Sequence, residues 1–200
     1  MLAIDTTHQF GSIALARGDT ILEEVPLDEP SGFAHVLYGH LEQLLERHDV
    51  RPAEIDCFAA ASGPGSFTGV RVGLAAVKGL AEALGKPAVA VSNLQALAWF
   101  GTVPLRAVMI DARRGEVYGA VYDAELRLVA PEVVARYDDW VKTWPAGEVQ
   151  LIGQAGSLPH LAGAVARLGV ERYRRGEASD PAALDANYVR RSDAELFWKE

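Results

Sequence analysis

The sequence predicts an α/β protein of two lobes, each opening with short strands and continuing with helices that alternate with strands. Three observations carry this expectation. Residues 2–25 read as three strands joined by tight turns, and residues 106–135 read as three more. After each run, apolar residues recur at three- and four-residue spacing, as they do on one face of a helix. Residues 55–61 form a short continuous apolar run, the composition of a strand buried on both faces. The lobes divide as residues 1–103 and 104–200, close to the ~100 residues a small lobe needs.

Residues 2–5 are apolar and end in the turn-prone Asp5-Thr6-Thr7. Strands at 12–16 and 20–25 follow, joined through Arg17-Gly18-Asp19 as a hairpin. Residues 26–31 are polar and interrupt the sheet. A helix is expected over 32–48, where Phe33, Leu37, Leu41, Leu44 and Leu45 repeat with helical spacing, and Arg51-Pro52 ends it. The strand at 55–61 leads through a glycine-rich turn into a long helix over 66–84, a strand at 87–91 and a short helix at 94–100. The second lobe restarts with strands at 106–110 and 116–122, linked by Asp111-Ala112-Arg113-Arg114-Gly115, and a third at 127–135. A helix at 137–142, a strand at 149–152 and a helix at 157–168 complete it. The charged tail, 187–200, is expected to be loosely held. No sequence repeat accompanies this repeated order of elements.

Half of the 200 residues are apolar and 23% are charged, an ordinary globular balance. A chain of this length buries roughly 70% of its unfolded surface, so its core needs no metal or disulfide. Cys57 is the only cysteine, which excludes an internal disulfide and suits a reducing compartment. The first residues lack a basic segment before a long apolar run, so no signal peptide is expected. No stretch reaches the ~18 apolar residues of a membrane span. A cytoplasmic protein with no membrane contact is the expectation. The net charge of −8 argues against a broad nucleic-acid footprint, which is normally basic. If RNA is involved, a partner does most of the gripping.

Residues 62–74, from Ser62 through Gly63, Gly65, Ser66, Thr68 and Gly69 to Leu74, join a strand to a helix through a glycine-rich turn. Unpaired N–H groups at such a helix start make an anion site. Stricter nucleotide motifs are absent. The first lysine after the turn is Lys78, too late for a Walker A loop, and Thr68 stands where the dinucleotide fingerprint needs glycine. A nucleophile elbow needs glycine two residues either side of its serine, whereas Ser66 has Pro64 and Thr68. The plain alternative is a tight turn with a Ser66 or Thr68 cap.

The helix that follows shows three stripes at about 100° per residue. Val70, Leu74, Val77, Ala81 and Leu84 form a bulky stripe suited to a sheet. Arg71, Ala75, Lys78 and Glu82 form a charged one. Val72, Ala76, Gly79 and Ala83 form a third, small enough for another helix to approach. Gly79 costs ~1 kcal/mol relative to alanine unless that gap is used. The neighbour is either the chain's own first helix or a partner. The first helix carries an apolar arc of about 140°, wider than the ~100° that core packing needs. Together the two helices are suited to half of a four-helix interface.

Four segments resemble a known family. AIDTT at residues 3–7, SGPGSFTGVRVGLAAVKGLA at 62–81, SNLQALA at 92–98 and DARRGEVY at 111–118 occur in the order found in the TsaB (YeaZ-type) family. The resemblance runs over residues 3–122 and is loose beyond 129. It implies an actin-like ATPase (ASKHA, RNase H-like) fold, two lobes each with a mixed central sheet flanked by helices. It also implies a part in placing the threonylcarbamoyl group on the adenosine beside the anticodon of tRNA. In that family the related protein TsaD performs the transfer, TsaB binds it, the ATPase TsaE joins them, and TsaB alone forms a homodimer.

On this resemblance the chain is a non-catalytic scaffold, with nucleotide and metal held by the partner subunits and tRNA met only through the complex. The partner contacts would be Phe33, Leu37, Leu41, Val72, Ala76, Gly79 and Ala83, with Arg71, Lys78 and Glu82 at the rim. Active relatives place a glycine two residues after the first-loop aspartate, but Asp5 is followed by Thr6, Thr7 and His8. Asp111-Ala112-Arg113 in the second lobe lacks that glycine too. Asp5, Thr6, Thr7, Gly63, Gly65, Ser66, Thr68, Asp111 and Arg113 therefore read as a vestigial nucleotide or anion loop. TsaD-like enzymes hold metal with two histidines four apart on a helix. His35 and His40 are five apart and diverge by about 140°, so metal binding is not expected. The alternative is an ASKHA phosphotransferase or a peptidase with its own activity. For a peptidase no nucleophile has a partner, since Cys57 lies in an apolar strand. Arg113 and Arg114 are further candidates for contact with phosphate.

Overall fold

Small and large side chains alternate along the first strands, and this alternation decides what covers each face of the sheet. β1 (Leu2–Asp5), β2 (Ser12–Arg17), β3 (Thr20–Pro26), β4 (Phe58–Ala61) and β5 (Ala88–Val91) form one sheet in the order β3-β2-β1-β4-β5. β1, β2 and β3 are antiparallel, whereas β1, β4 and β5 run parallel. Leu2, Ile4, Ile13, Leu15 and Phe58 line one face and are buried with α1 (Leu37–Arg47) and α2 (Phe67–Leu84). The opposite face carries Ala3, Ala14, Ala16, Ala59 and Ala61. Such short side chains admit a helix closely. The structure, a computed structural model, describes residues 1–27, 32–153 and 158–190.

The helices that use the alanine face are α3 (Asn93–Ala98) and α5 (Ala162–Arg174). α5 is itself built from small residues at the contact, and a Cβ on Gly169 would lie 3.0 Å from the Ala59 Cβ. A second sheet lies on the other side of these two helices. β6 (Leu105–Arg113), β7 (Glu116–Tyr122), β8 (Leu128–Arg136) and β9 (Val149–Ile152) take the order β8-β7-β6-β9. Again there is an antiparallel meander, with one strand added in parallel. Val108, Ile110, Ala120 and Tyr122 of this sheet share one core with α3, α5 and the alanine face. α4 (Tyr137–Val141) covers the outer face, where a Cβ on Gly119 would run into the buried Trp140 ring.

Several boundaries differ from those expected, each for a physical reason. α1 begins at Leu37 rather than near 32. The preceding residues form turns, with Val36 and Leu37 N–H both donating to the Phe33 carbonyl, and no side chain caps the helix. β4 begins at Phe58, because residues 52–54 form a 3-10 turn. α5 runs from 162 to 174, not 157 to 168; residue 157 lies outside the described residues. Its start is set by distant groups: Ser12 Oγ accepts from the Ala162 N–H at 3.0 Å, and Glu24 Oε1 from Gly163 at 2.9 Å.

The sequence boundary at 103/104 separates the two sheets but not their covering elements. α5 and the segment after it return to the first sheet. Ser179 pairs with Ala88 at the β5 edge, and Leu184 is buried beside α2. Residues 187–190 of the expected loose tail are held. The Asn187 N–H donates to Ser62 O at 2.8 Å, and Arg190 pairs with Glu116. The remainder, 191–200, lies outside the described residues.

Candidate functional site

Asp5 ends β1 with its carboxylate fully buried. Oδ1 accepts from the Thr7 N–H at 2.9 Å and from the Thr7 hydroxyl at 2.6 Å. Oδ2 lies 2.9 Å from His8 Nε2, close but poorly aligned, so the contact is electrostatic rather than a directed hydrogen bond. His8 Nδ1 accepts from the Phe10 N–H at 3.2 Å, which leaves the ring proton on Nε2, facing the carboxylate. The carboxylate is thus turned inward and engaged by its own loop.

Three glycines spaced four apart allow α2 to press against that loop. A Cβ on Gly65 would stand 2.6 Å from Thr7 O, on Gly69 2.0 Å from Thr6 O, and on Gly73 2.8 Å from Thr6 Oγ1. The contact is bonded as well as close. The Thr6 hydroxyl donates to Gly69 O at 2.7 Å, and the Ser66 N–H donates to Thr7 O at 2.6 Å. Ser66 is the N-cap, its hydroxyl accepting from Gly69 N–H at 3.3 Å, while Thr68 is exposed. Asn93, fully buried at the start of α3, completes the knot. Its N–H donates to Gly63 O and its Oδ1 accepts from Gly63 N–H, both at 2.9 Å, and its Nδ2 bonds the Thr7 hydroxyl.

Thr6 and Thr7 close on the side of α2 at Gly65, Gly69 and Gly73, while Ser66, Phe67 and Thr68 at its start are exposed. Asp111 and Arg113 sit elsewhere, on the exposed hairpin between β6 and β7. Asp111 Oδ1 accepts from the Arg113 N–H at 2.8 Å, with the side chains 3.4 Å apart. Among the described residues no group of three or more His, Cys, Asp or Glu side chains is placed to hold a metal ion. His40 Nδ1 lies 3.0 Å from Val36 O. Cys57 is buried, and burial pushes its thiol from 9.0 up to about 11, which keeps it protonated and unreactive.

The other face of the first sheet presents a different feature. α1 and α2 both lie on it, and a groove of about 660 Å³ remains between them, lined in part by Tyr38, Leu45, Leu80 and Leu84. Leu37 and Leu41 are buried in the chain's own core, and Phe33 packs its ring against Gly11. Of the small stripe, Ala76 is buried and Val72 half-buried, while Gly79 and Ala83 are exposed. A Cβ on Gly79 would meet nothing within 4 Å. The charged stripe is partly occupied: Lys78 Nζ donates to Ala182 O at 3.3 Å and Arg71 donates to the Tyr188 hydroxyl at 3.4 Å. Glu82 is exposed.

Three residues of these networks carry no role in the sequence reading. Asn93 and His8 complete the knot around Asp5. Glu132 on β8 accepts from the Tyr122 hydroxyl at 2.7 Å, from Asn187 at 2.6 Å and from the Ser92 hydroxyl, which ties the two sheets together. Only Asn93 left a sequence signal, as a polar residue directly after the Ser92 helix cap.

The family described as tRNA N6-adenosine threonylcarbamoyltransferase (TsaD) matches residues 26–154. The Bacillus subtilis tRNA threonylcarbamoyladenosine biosynthesis protein TsaB is 32% identical over 228 aligned positions, covering 100% of this chain and 98% of that protein. The Escherichia coli protein of the same description is 34% identical over 129 positions, covering 62% of this chain and 55% of its own length. The solved structure of YeaZ from Pseudomonas aeruginosa superposes with a TM-score of 0.78 at 29% identity, covering 94% of this chain and 98% of that one.

Proposed function

The chain belongs to the TsaB family of tRNA threonylcarbamoyladenosine biosynthesis proteins, and from that membership we propose that it acts as a non-catalytic subunit, docking a TsaD-type catalytic relative through α1 and α2. The fold is the actin-like ASKHA fold. The observation that carries the proposal is the groove between the two helices, lined by Tyr38 and Leu45 of α1 and Leu80 and Leu84 of α2, with Gly79 and Ala83 exposed next to those leucines in the α2 sequence. An apolar helix pair left open on one side is a surface that a second helix pair can complete. Tyr38, 56% exposed at the groove, supplies the aromatic anchor that interfaces favour.

The non-catalytic part of the proposal rests on the knot around Asp5. With the carboxylate engaged by Thr7 and His8, and Gly65, Gly69 and Gly73 closed on the Thr6–Thr7 backbone, phosphoryl chemistry has neither a loop nor a metal-binding group. Nucleotide and metal then belong to the partner subunits. The same helices serve a homodimer when the chain is alone, and a TsaE-type ATPase joins the assembly. The complex works in the cytoplasm, where its tRNA substrate is; among the described residues no helix is long and apolar enough to cross a membrane.

Gly79→Arg and Ala83→Glu test the docking face. Both positions are exposed, so each variant is expected to melt within a few degrees of the unsubstituted chain yet fail to co-elute with TsaD of the same organism. Co-elution by both variants at unchanged affinity would remove the assignment of this face.

A further inference from the structure

Phe67 and Tyr188 are exposed aromatic rings in a place the docking face does not reach. Phe67 opens α2 with 57% of its surface exposed, and Tyr188, on the segment that crosses from the first sheet to the second, is 53% exposed. Their centroids are 6.4 Å apart, with planes inclined by 39°. The Arg71 guanidinium lies 3.5 Å from the Phe67 centroid and also donates to the Tyr188 hydroxyl. Two residues on, Arg190 stands 5.9 Å from the Tyr118 ring and pairs with Glu116. Glu116 is in register with Arg113 across the β6–β7 hairpin that also carries Arg114.

We propose that this rim, formed by Phe67, Arg71, Tyr188, Arg190 and the Arg113–Arg114 hairpin, is a direct contact surface for unpaired bases of tRNA, an inference that rests on the family's place in tRNA modification. Unstacked RNA bases are bound on aromatic rings and on guanidinium planes, with arginine also meeting the phosphates. The rim offers both elements side by side. It gathers Arg71, Arg113, Arg114 and Arg190 in a chain whose net charge is −8. In an acidic chain a polyanion is drawn to such local clusters of arginine. Arginine above an aromatic ring keeps its charge while the ring orders it. The groove between α1 and α2 has the opposite character, with leucines at its floor. Phe67 lies about 140° around α2 from Val72, so the two surfaces can be occupied together.

The test uses the complex of this chain with TsaD of the same organism and a fluorescein-labelled, transcribed tRNA that reads a codon beginning with adenosine. Binding is followed by anisotropy over a salt series. Phe67→Ala and Tyr188→Ala are each expected to weaken binding about tenfold, as loss of a stacked base does. Arg71→Gln is expected to reduce the slope of log affinity against log salt by about 0.7–0.9. Co-elution with TsaD should stay intact in Phe67→Ala and Tyr188→Ala, whereas Arg71, at the rim of the expected partner contacts, is read by the salt slope per assembled complex. Unchanged affinity and slope in all three overturns the proposal. Loss of co-elution, with tRNA affinity per assembled complex unchanged, makes the rim a protein contact and overturns it as well. If the unsubstituted chain does not co-elute with TsaD, the docking proposal has failed separately. The chain alone at low salt then decides: tRNA binding that falls in Phe67→Ala supports the rim, and no binding refutes it.

Discussion

Gly69→Ala and Gly79→Ala are the same chemical change on one helix, and the structure gives them opposite signs. At Gly79 the added methyl meets nothing within 4 Å, so the gain is the helix propensity of alanine over glycine, about 1 kcal/mol. At Gly69 the methyl would sit 2.0 Å from Thr6 O and 3.0 Å from Thr6 C, both backbone atoms at the end of a central strand. Relief requires α2 to withdraw by more than ~1 Å, at an overpacking cost of about 1–3 kcal/mol. Withdrawal also weakens the bonds from Thr6 Oγ1 to Gly69 O and from Ser66 N–H to Thr7 O, each worth about 1 kcal/mol. Against the propensity gain, the net loss is about 3 kcal/mol. Thermal melts followed by circular dichroism, at dilute and matched concentrations, should show Gly79→Ala rising by about 2–4 °C and Gly69→Ala falling by about 6–12 °C. A Gly69→Ala variant as stable as the unsubstituted chain would refute the sealed turn. The glycine would then be kept for an anion, and the nucleotide loop would have to be reconsidered.

Asn93→Ala removes the partner of Gly63 N–H and of the Thr7 hydroxyl in a fully buried knot, and urea titration should report a loss of about 2–4 kcal/mol. Glu24→Ala uncaps α5 from β3 and is expected to cost about 1–2 kcal/mol in the same assay, whereas an α5 remote from the first sheet would not respond. Cys57, raised by burial to about 11, should ignore Ellman's reagent at pH 8 until urea unfolds the chain. Its folded value lies above the unfolded one. Its stabilising effect, at most about 2–3 kcal/mol, is therefore present below pH 9 and lost as pH rises toward 11, a decline absent from Cys57→Ala.

The first strands were legible as short apolar runs, and the sheet uses the alternation in β1 and β2, with Leu2, Ile4, Ile13 and Leu15 toward α1 and α2 and Ala3, Ala14 and Ala16 toward α5. The bulky stripe of α2 was legible from its helical spacing, and Val70, Leu74, Val77 and Ala81 are buried. The location of α5 was not. Its caps, Ser12 and Glu24, are more than a hundred residues away, and local pattern cannot reveal a cap supplied by another strand. Residues 179–190 have no helical or strand period, so nothing showed that they cross α2 and occupy Arg71 and Lys78. The missing loop glycine after Asp5 was readable as a departure from active relatives. That the space is filled by Thr6, Thr7 and Asn93 needed the three-dimensional closeness of β1, α2 and α3.

Light scattering of the chain, alone and mixed with TsaD of the same organism, tests the docking role most directly. The expected result is a homodimer that dissociates and re-forms as a heterodimer, both contacts drawing on α1 and α2 and both lost in Gly79→Arg. A chain that remains monomeric and passes TsaD without binding would contradict that role.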